Sequence, residues 1–340
     1  MLKADVEVDR RDFTVRAVIE VAPGERLALF GPSGAGKTTL LETIAGLVQP
    51  RTGTVELAGR TLTRTATPRV AVPPWQRGIG LLRQDPGLFP HLSVRDNLAY
   101  ARSAVGRGEL TSLADALGIG ELLSAMPARL SGGQQHRAAL ARLLLARCDA
   151  LLLDEPYSGL DGVLRRTLTG LVVRLVTERG VPAVLVAHEL ADAQAFASRM
   201  AVIDRGAVLQ LGDPDEIVLR PVSARVAELV GYLGFAAVPG RPDLVAGIHP
   251  DRILAAADPE RGLVLTGTVA ASRPAGASWE VDLQLADSVV TCRLAERPGP
   301  AGSQLTVTAV EPPLFGSGDA PVDPVAAGTQ QETARQEIRP

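Results

Sequence analysis

The sequence predicts an α/β domain built on a mixed, largely parallel sheet, followed by a small all-β domain. Three observations carry this. Short apolar runs such as Leu27–Phe30, Ala150–Leu153 and Pro182–Ala187 alternate with helical stretches, as buried parallel strands and their crossover helices do. The nine residues GPSGAGKTT, Gly31 to Thr39, lie between one such run and the helical Leu40–Ala45. From about residue 240 the pattern changes to short β-like pieces split by Gly, Pro and Asp.

The totals are consistent with that plan. At 340 residues the chain is long enough for about two domains and a large core. With 46% hydrophobic and 21% charged residues and a net charge of -3, its arginines interspersed with acids, it lacks the basic footprint of a nucleic-acid binder. Cys148 and Cys292 are far apart, which implies neither a disulfide framework nor a zinc site, and a reducing compartment fits. The start, MLKADVEVDRR, has acids and no apolar centre, so no secretory signal is expected there. No apolar run approaches the roughly twenty residues that span a bilayer, so any membrane-embedded part is expected on another chain.

Taken in order, Leu2, Ala4, Val6 and Val8 alternate on one face, as do Phe13, Val15, Ala17, Ile19 and Val21, predicting two half-buried strands joined at Arg10-Arg11-Asp12. Gly31, Gly36, Lys37 and Thr38 then occupy the fixed places of G-x-x-x-x-G-K-[ST]. Gly31, Gly34 and Gly36 free the backbone to turn its N–H groups inward on phosphate oxygens, and the helix that follows adds its positive end. Lys37 can reach β- and γ-phosphates, and the Thr38 hydroxyl can ligate Mg²⁺. A ligand-free glycine turn is the plain alternative, but the strand before and the helix after argue against it. Lys3 and Lys37 are the only lysines of the chain, so lysine is kept where a compact ammonium suits the site.

A short β segment, Gly53–Leu57, and a Pro-rich connection, Pro68–Pro74, lead to the strand Ile79–Leu82, which delivers Gln84 to the carboxyl end of the sheet, where ligands sit in open α/β folds. Val94–Val105, Leu110–Leu117 and Glu121–Ala125 are predicted helical. Ser131 is a plausible N-cap for a helix over Gln135–Ala146, and Gly132, Gly133 and Gln134 give that helix a second anion-binding start; a plain capped helix is the competing reading. The strand Ala150–Leu153 ends in Asp154 and Glu155. Asp154 is placed to support Mg²⁺, and Glu155 to orient or deprotonate an attacking water. Asp161–Arg179 is predicted helical, and the strand Pro182–Ala187 ends at His188, a third strand end. Met200–Asp204 and Ala207–Leu211 form a hairpin over Arg205-Gly206, and Asp215–Leu219 and Val222–Val230 close the first domain. In the second part, Leu244–Ile248, Gly262–Ala270, Trp279–Leu285, Val289–Leu294 and Leu305–Val310 are predicted strands, with Trp279 and Cys292 in the core. Residues 317–340 are polar and aperiodic, predicting a disordered tail.

Set side by side, these motifs resemble the ATPase subunit of ATP-binding cassette (ABC) transporters over roughly residues 1–230. Gly31–Thr38 are similar to its Walker A motif, Gln84 to its Q-loop, and Leu130–Gln134 to its LSGGQ signature. Leu151–Glu155 resemble its Walker B strand, Ser158-Gly159-Leu160-Asp161 its D-loop, and His188 its switch histidine. The resemblance implies a phosphate-loop nucleotide-binding domain over 1–235 with a helical subdomain at about 85–147. It implies ATP held by Gly31, Pro32, Ser33, Gly34, Ala35, Gly36, Lys37, Thr38 and Thr39, and Mg²⁺ held by Thr38, Gln84 and Asp154. In a head-to-tail homodimer, Ser131, Gly132, Gly133 and Gln134 of one chain would close over the other chain's nucleotide, with Asp161 linking the sites. The resemblance gives the catalytic roles to Glu155, His188 and Gln84. The family usually stacks an aromatic on adenine, and Phe13 is the candidate here. His136 stands where Gln or Arg is commoner, and Ala187 where Thr is usual.

Residues 240–315 are similar to the oligonucleotide-binding-like (TOBE) barrel of importers. That similarity implies a peripheral protein at the cytoplasmic face of the cell membrane, working with two integral-membrane permease subunits and an extracytoplasmic solute-binding protein. Asp85–Val94, with Phe89-Pro90-His91, resembles the surface that receives the permease. The short first strand pair and the run PPWQRGIGLLRQDPGLFPHLSV look most similar to molybdate importers, with sulfate and iron(III) importers next. The competing classes fit less well. A GTPase needs an Asn-Lys-x-Asp guanine reader, which Lys3 and Lys37 cannot supply, and the related kinases lack LSGGQ. Cassette proteins of ribosomes or DNA commonly carry two cassettes or a coiled coil. A ligand-sensing ATPase acting through the C-terminal barrel is compatible with transport.

Overall fold

The computed structural model describes residues 1–100, 107–157, 159–316 and 321–322. They form two compact units that meet at Pro214 and Asp215, so residues 215–235, expected to close the first domain, belong to the second unit.

The first unit runs β1 (Leu2–Asp9), β2 (Thr14–Val21), β3 (Arg26–Phe30), α1 (Lys37–Ala45), β4 (Thr52–Leu57), β5 (Arg60–Arg64), β6 (Val70–Ala71) and β7 (Ile79–Leu82). It continues with α2 (Val94–Tyr100), α3 (Arg107–Ala116), α4 (Gly132–Leu145), β8 (Ala150–Asp154), α5 (Gly162–Arg179), β9 (Ala183–Ala187), α6 (Leu190–Phe196), β10 (Arg199–Asp204) and β11 (Ala207–Gly212). One sheet holds the strands in the order β6-β5-β4-β1-β2-β11-β10-β3-β9-β8-β7. The run β10-β3-β9-β8-β7 is parallel throughout, and the β1, β2, β4, β5 and β6 neighbours pair antiparallel, which is the mixed sheet the pattern predicts.

Register decides where chemistry can happen. Phe30 pairs with Ala187, Asp154 with Val186, and Leu82 with Leu153, so the residues after these four strands all emerge at one edge. The buried alternation of β1 and β2 is as expected, with Leu2, Ala4, Val6, Val8, Val15, Ala17, Ile19 and Val21 at most 5% exposed; Phe13 precedes β2 and is half-buried. Leu40, Leu41 and Ile44 of α1 are fully buried against Leu152, Val184 and Val186, which fixes the helix on the sheet. Each of these side chains contributes about 1.5–3 kcal/mol by leaving water.

Several local expectations change. Glu121–Ala125 is not a helix: a single 3₁₀ turn, Gly120–Leu122, occupies it, because Gly118 takes a left-handed φ of 62° and Gly120 follows closely. Val94–Val105 is helical as far as Tyr100, and its remainder lies outside the described residues. Helix α6, β5 and β6 were not foreseen; β6 lies inside the Pro-rich connection, too short to show a period.

Helix α7 (Pro214–Leu219) crosses the boundary. The second unit contains α8 (Ala224–Leu229), β12 (Phe235–Val238), β13 (Arg241–Gly247), β14 (Ile253–Leu254), β15 (Gly262–Ala275), β16 (Ser278–Gln284), β17 (Val289–Leu294), β18 (Gln304–Val310), β19 (Leu314–Gly316) and β20 (Pro321–Val322). Its strands form two antiparallel sheets, β12-β13-β19-β20 and β14-β18-β15-β16-β17, around one core that includes Ala246, Val281 and Cys292. Cys292 is fully buried, and Trp279 packs half-buried on the core edge beneath the Arg297 guanidinium, 5.1 Å from its ring centre. Pro321–Val322, inside the stretch expected to be disordered, pairs with Leu314 and Phe315; the rest of 317–340 lies outside the described residues.

Candidate functional site

The loop after β3 folds as a cradle. Gly34 and Gly36 take φ of 80° and 103°, in the left-handed region that favours glycine. A Cβ on Gly36 would also stand 2.6 Å from Val15 Cγ2, so the position admits no side chain. The loop is tied from outside by the hairpin of β10 and β11, where Gly206 N donates to Ala35 O at 2.9 Å.

Lys37 is 6% exposed, and its Nζ donates to Gly31 O at 2.7 Å and Pro32 O at 2.8 Å. Burial pushes its pKa down, while Glu155 and Asp154 oppose that shift. Thr38 is exposed at the mouth of the loop, beside the Asp154 carboxylate. Thr39 is buried, and its Oγ1 accepts from Arg10 Nε at 2.7 Å, so this hydroxyl faces the β1–β2 turn. Pro32 is half-buried, and Ser33 and Gly34 are exposed.

Asp154, 3% exposed at the end of β8, has its pKa raised chiefly by burial, with the Thr38 hydrogen bond acting in the opposite direction. Its Oδ1 has no hydrogen-bond partner. A buried carboxylate oxygen without a donor, beside a hydroxyl, is suited to a hard cation. Among the described residues, no group of three or more His, Cys, Asp or Glu side chains is placed to hold a metal ion. Glu155 has a positive φ of 50°, which turns its side chain out of the strand line, and its N–H donates to Val186 O at 3.3 Å. His188 Nδ1 lies 3.6 Å from Glu155 Oε2. Gln84 is exposed two residues past β7, at the same sheet end.

The structure thus gathers the cradle, Asp154, Glu155, His188 and Gln84 at one edge. Among the described residues no hydrogen bond or ion pair joins Ser131–Gln134 to the cradle. Ser131 N-caps α4 in a capping box, with Gln134 N donating to its Oγ at 3.4 Å and its own N donating to Gln134 Oε1 at 2.9 Å. Asp161 caps α5, its Oδ1 accepting from Val163 N and Leu164 N, and the Leu164 bond is the main cause of its lowered pKa. Ser158 lies outside the described residues. Phe13 lines a cavity of about 350 Å³ beside the cradle with Asp12, Ser33, Gly34, Ala35, Asp204 and Arg205. The sequence places Asp204 at the end of a strand and Arg205 in the turn that follows, and nothing in it brings them to the cradle. On the helical side, buried Asn97 holds the Phe89 loop, accepting from Phe89 N at 2.8 Å and donating to Phe89, Leu92 and Ser93 carbonyls.

Lysine in a glycine cradle, with a threonine and an orphaned carboxylate at the end of β8, one strand removed in the sheet, is the arrangement of a phosphate-loop nucleotide hydrolase. The family model described as ABC transporter matches residues 16–158. The sulfate/thiosulfate import ATP-binding protein CysA of Mycolicibacterium paratuberculosis is 36% identical over 337 residues, covering 95% of this chain and 88% of that protein. CysA of Mycobacterium bovis is 40% identical, covering 76% and 72%. The Fe(3+) ions import ATP-binding protein FbpC of Mesorhizobium japonicum is 41% identical, but the match spans 63% of this chain and 59% of that protein. Among solved structures, a bacterial Atm1-family ABC exporter with ATP bound matches with a TM-score of 0.58 at 26% identity, covering 67% of this chain and 41% of that one. A dimeric ATP-binding cassette in a post-hydrolysis state with ADP and phosphate shares the fold, with a TM-score of 0.54 at 24% identity, covering 63% of this chain and 99% of that one. The chain belongs to the family of ABC-transporter ATP-binding proteins, whose members bind ATP with Mg²⁺ and hydrolyse it.

Proposed function

We propose that the chain is the ATP-hydrolysing subunit of an importer of an inorganic ion. It works as a head-to-tail homodimer at the cytoplasmic face of the membrane, beneath two permease subunits served by an extracytoplasmic solute-binding protein. Among the described residues no helix is long and apolar enough to cross a bilayer, in keeping with a peripheral role. The observation that carries the hydrolytic reading is Asp154 Oδ1, buried without a partner beside Thr38 and Lys37. Mg²⁺ held by Thr38, Gln84 and Asp154 would neutralise phosphate charge.

In this reading Lys37 releases its two carbonyls to hold phosphate oxygens, Glu155 takes the proton of the attacking water, and His188 contacts the γ-phosphate. Ser131 engages the Gln134 N–H, which leaves those of Gly132 and Gly133 for the partner chain's nucleotide. Phe13 stacks on adenine, and the Asn97-held Phe89 loop receives the permease. Closure of the dimer drives the permease only because ATP favours the closed state.

For the solute, a relative that matches over 95% of this chain is a sulfate/thiosulfate importer subunit, which favours a sulfate-class oxyanion; iron(III) and molybdate follow, the latter on the resemblance of the first strand pair and residues 73–94. Glu155→Gln tests the chemistry: it should bind ATP, lose at least about a hundredfold in turnover and accumulate as a closed dimer. Turnover near wild type contradicts the assigned base. Uptake of labelled sulfate, molybdate and ferric ion by cells with and without the chain tests the solute, and loss of ferric uptake alone would contradict the oxyanion.

A further inference from the structure

We propose that Glu189, clamped by Arg165, positions the His188 imidazole for hydrolysis; this rests on the role given to His188 above. His188 leaves the end of β9 with its ring between two carboxylates. Nδ1 stands 3.6 Å from Glu155 Oε2, and Nε2 stands 3.8 Å from Glu189 Oε1. The other oxygen of Glu189, Oε2, pairs with Arg165 Nη1. Arg165 is held in turn by Asp192 Oδ2 at 3.4 Å.

Burial separates the anchor from the part that is held. The Asp192 and Arg165 side chains are 10% and 23% exposed, whereas Glu189 and His188 are 45% and 44% exposed. An imidazole that open to water turns freely unless something outside the strand restrains it, and Glu189 faces its outer nitrogen, with Asp192 also within electrostatic reach of the ring. A neutral imidazole carries one N–H, and the carboxylate opposite one nitrogen selects which of the two bears it. Both separations exceed hydrogen-bond length, as catalytic contacts often do before substrate tightens them.

The clamp also reaches a second element. Arg165 lies in the first turn of α5, its N–H donating to Asp161 O at 2.9 Å, while Glu189 and Asp192 begin α6. A shift of that turn therefore displaces Glu189, and with it the outer restraint on His188. The assignment makes Arg165 and Glu189 positioning residues: neither touches the reacting atoms.

The test is steady-state ATPase kinetics of the full chain carrying Glu189→Ala, Arg165→Ala, Arg165→Lys, His188→Ala and the double variant of Glu189 and His188. Glu189→Ala and Arg165→Ala should lose about ten- to a hundredfold in kcat, the scale seen when a partner that orients a ligand is removed. KM for ATP should stay within about twofold, because the cradle and Lys37 are untouched. Arg165→Lys should recover most of the loss, which also covers the case in which Arg165→Ala fails to fold around the unpaired Asp192. The double variant should be no slower than His188→Ala, since Glu189 acts through that ring. Wild-type kcat in Glu189→Ala, a KM that rises as kcat falls, or a double variant slower than His188→Ala overturns the proposal. If His188→Ala itself keeps wild-type turnover, the role of His188 falls and the proposal with it; if His188→Ala fails while Glu189→Ala is normal, the proposal alone falls.

Discussion

Arg77 is 1% exposed and has no acidic partner among the described residues, which makes it a stringent test of how the phosphate-binding helix is held. Its guanidinium donates from Nε to Val72 O at 2.8 Å, from Nη1 to Ile44 O at 2.8 Å and from Nη2 to Thr63 Oγ1 at 2.9 Å. Ile44 O belongs to the last turn of α1, whose carbonyls carry the negative end of the helix dipole, so a cation there is favourable. Burial lowers the pKa of the group, a sign that the charge is costly to keep inside. Replacing Arg77 with Met removes that cost and leaves two buried acceptors, Ile44 O and Thr63 Oγ1, and the part-buried Val72 O unpaired, each buried one worth about 1–3 kcal/mol. The balance favours loss, and about 3 kcal/mol is expected, or roughly 10 °C in the melting temperature of a unit this size.

Gly46 sharpens the test. It ends α1 with φ 85°, and a Cβ there would stand 2.6 Å from Arg77 Nη2. Gly46→Ala therefore carries a left-handed strain of about 1 kcal/mol together with a clash against the guanidinium. Met at position 77 removes the clash, so the double variant should be more stable than the sum of the single changes predicts. Urea unfolding of the four proteins, followed by a probe in the first unit, measures both effects. Arg77→Met within 1 kcal/mol of wild type, or strictly additive losses, would refute the argument.

Other outcomes follow from the same geometry. Lys37→Ala should weaken ATP binding by about a hundredfold, roughly 3 kcal/mol of charge-assisted hydrogen bonding, and unchanged affinity for a fluorescent nucleotide would overturn the cradle assignment. The Cys292 thiol, pushed up by burial from 9.0 to about 12, stays neutral in the fold while the unfolded chain ionises. That contribution is intact below pH 9 and is lost as pH rises toward 12, amounting to about 2 kcal/mol at pH 10.5. Cys292→Ala should therefore flatten the alkaline fall in stability measured by denaturant titration at pH 8 and pH 10.5, and an unchanged slope would contradict the burial effect.

What was legible in the sequence is what local pattern dictates. The cradle, Asp154, Glu155 and His188 each stand next to a strand whose apolar run names it, and parallel pairing then brings the strand ends together without further information. The capping box of α4 was half legible: Ser131 was read as an N-cap, and the return bond from Gln134 was not. Arg77, the Arg165 clamp and the tie between Gly206 and Ala35 were silent, because each joins residues remote in sequence or of a type common on surfaces. Thr39 shows the limit most clearly. Its place in the motif gives it to nucleotide, and its hydroxyl also accepts from Arg10, a residue twenty-nine positions away whose reach no local pattern could reveal.

The balance of charges at the site constrains how it can work. Lys37 donates to two carbonyls of its own loop, while Asp154 and Glu155 set two acids beside one ammonium and leave Oδ1 of Asp154 without a donor. The excess is negative, so phosphate alone would add like charge to a buried carboxylate. A nucleotide that brings its cation reverses this, since the cation satisfies Asp154 and frees Lys37 for phosphate. Binding of ATP and of Mg²⁺ should therefore be mutually dependent at this site, each tightening the other by the same factor. Asp154→Asn, which removes the charge but keeps the shape, should reduce that coupling rather than the affinity for metal-free ATP. Equal loss of both would mean that Asp154 shapes the cradle instead of the charge balance.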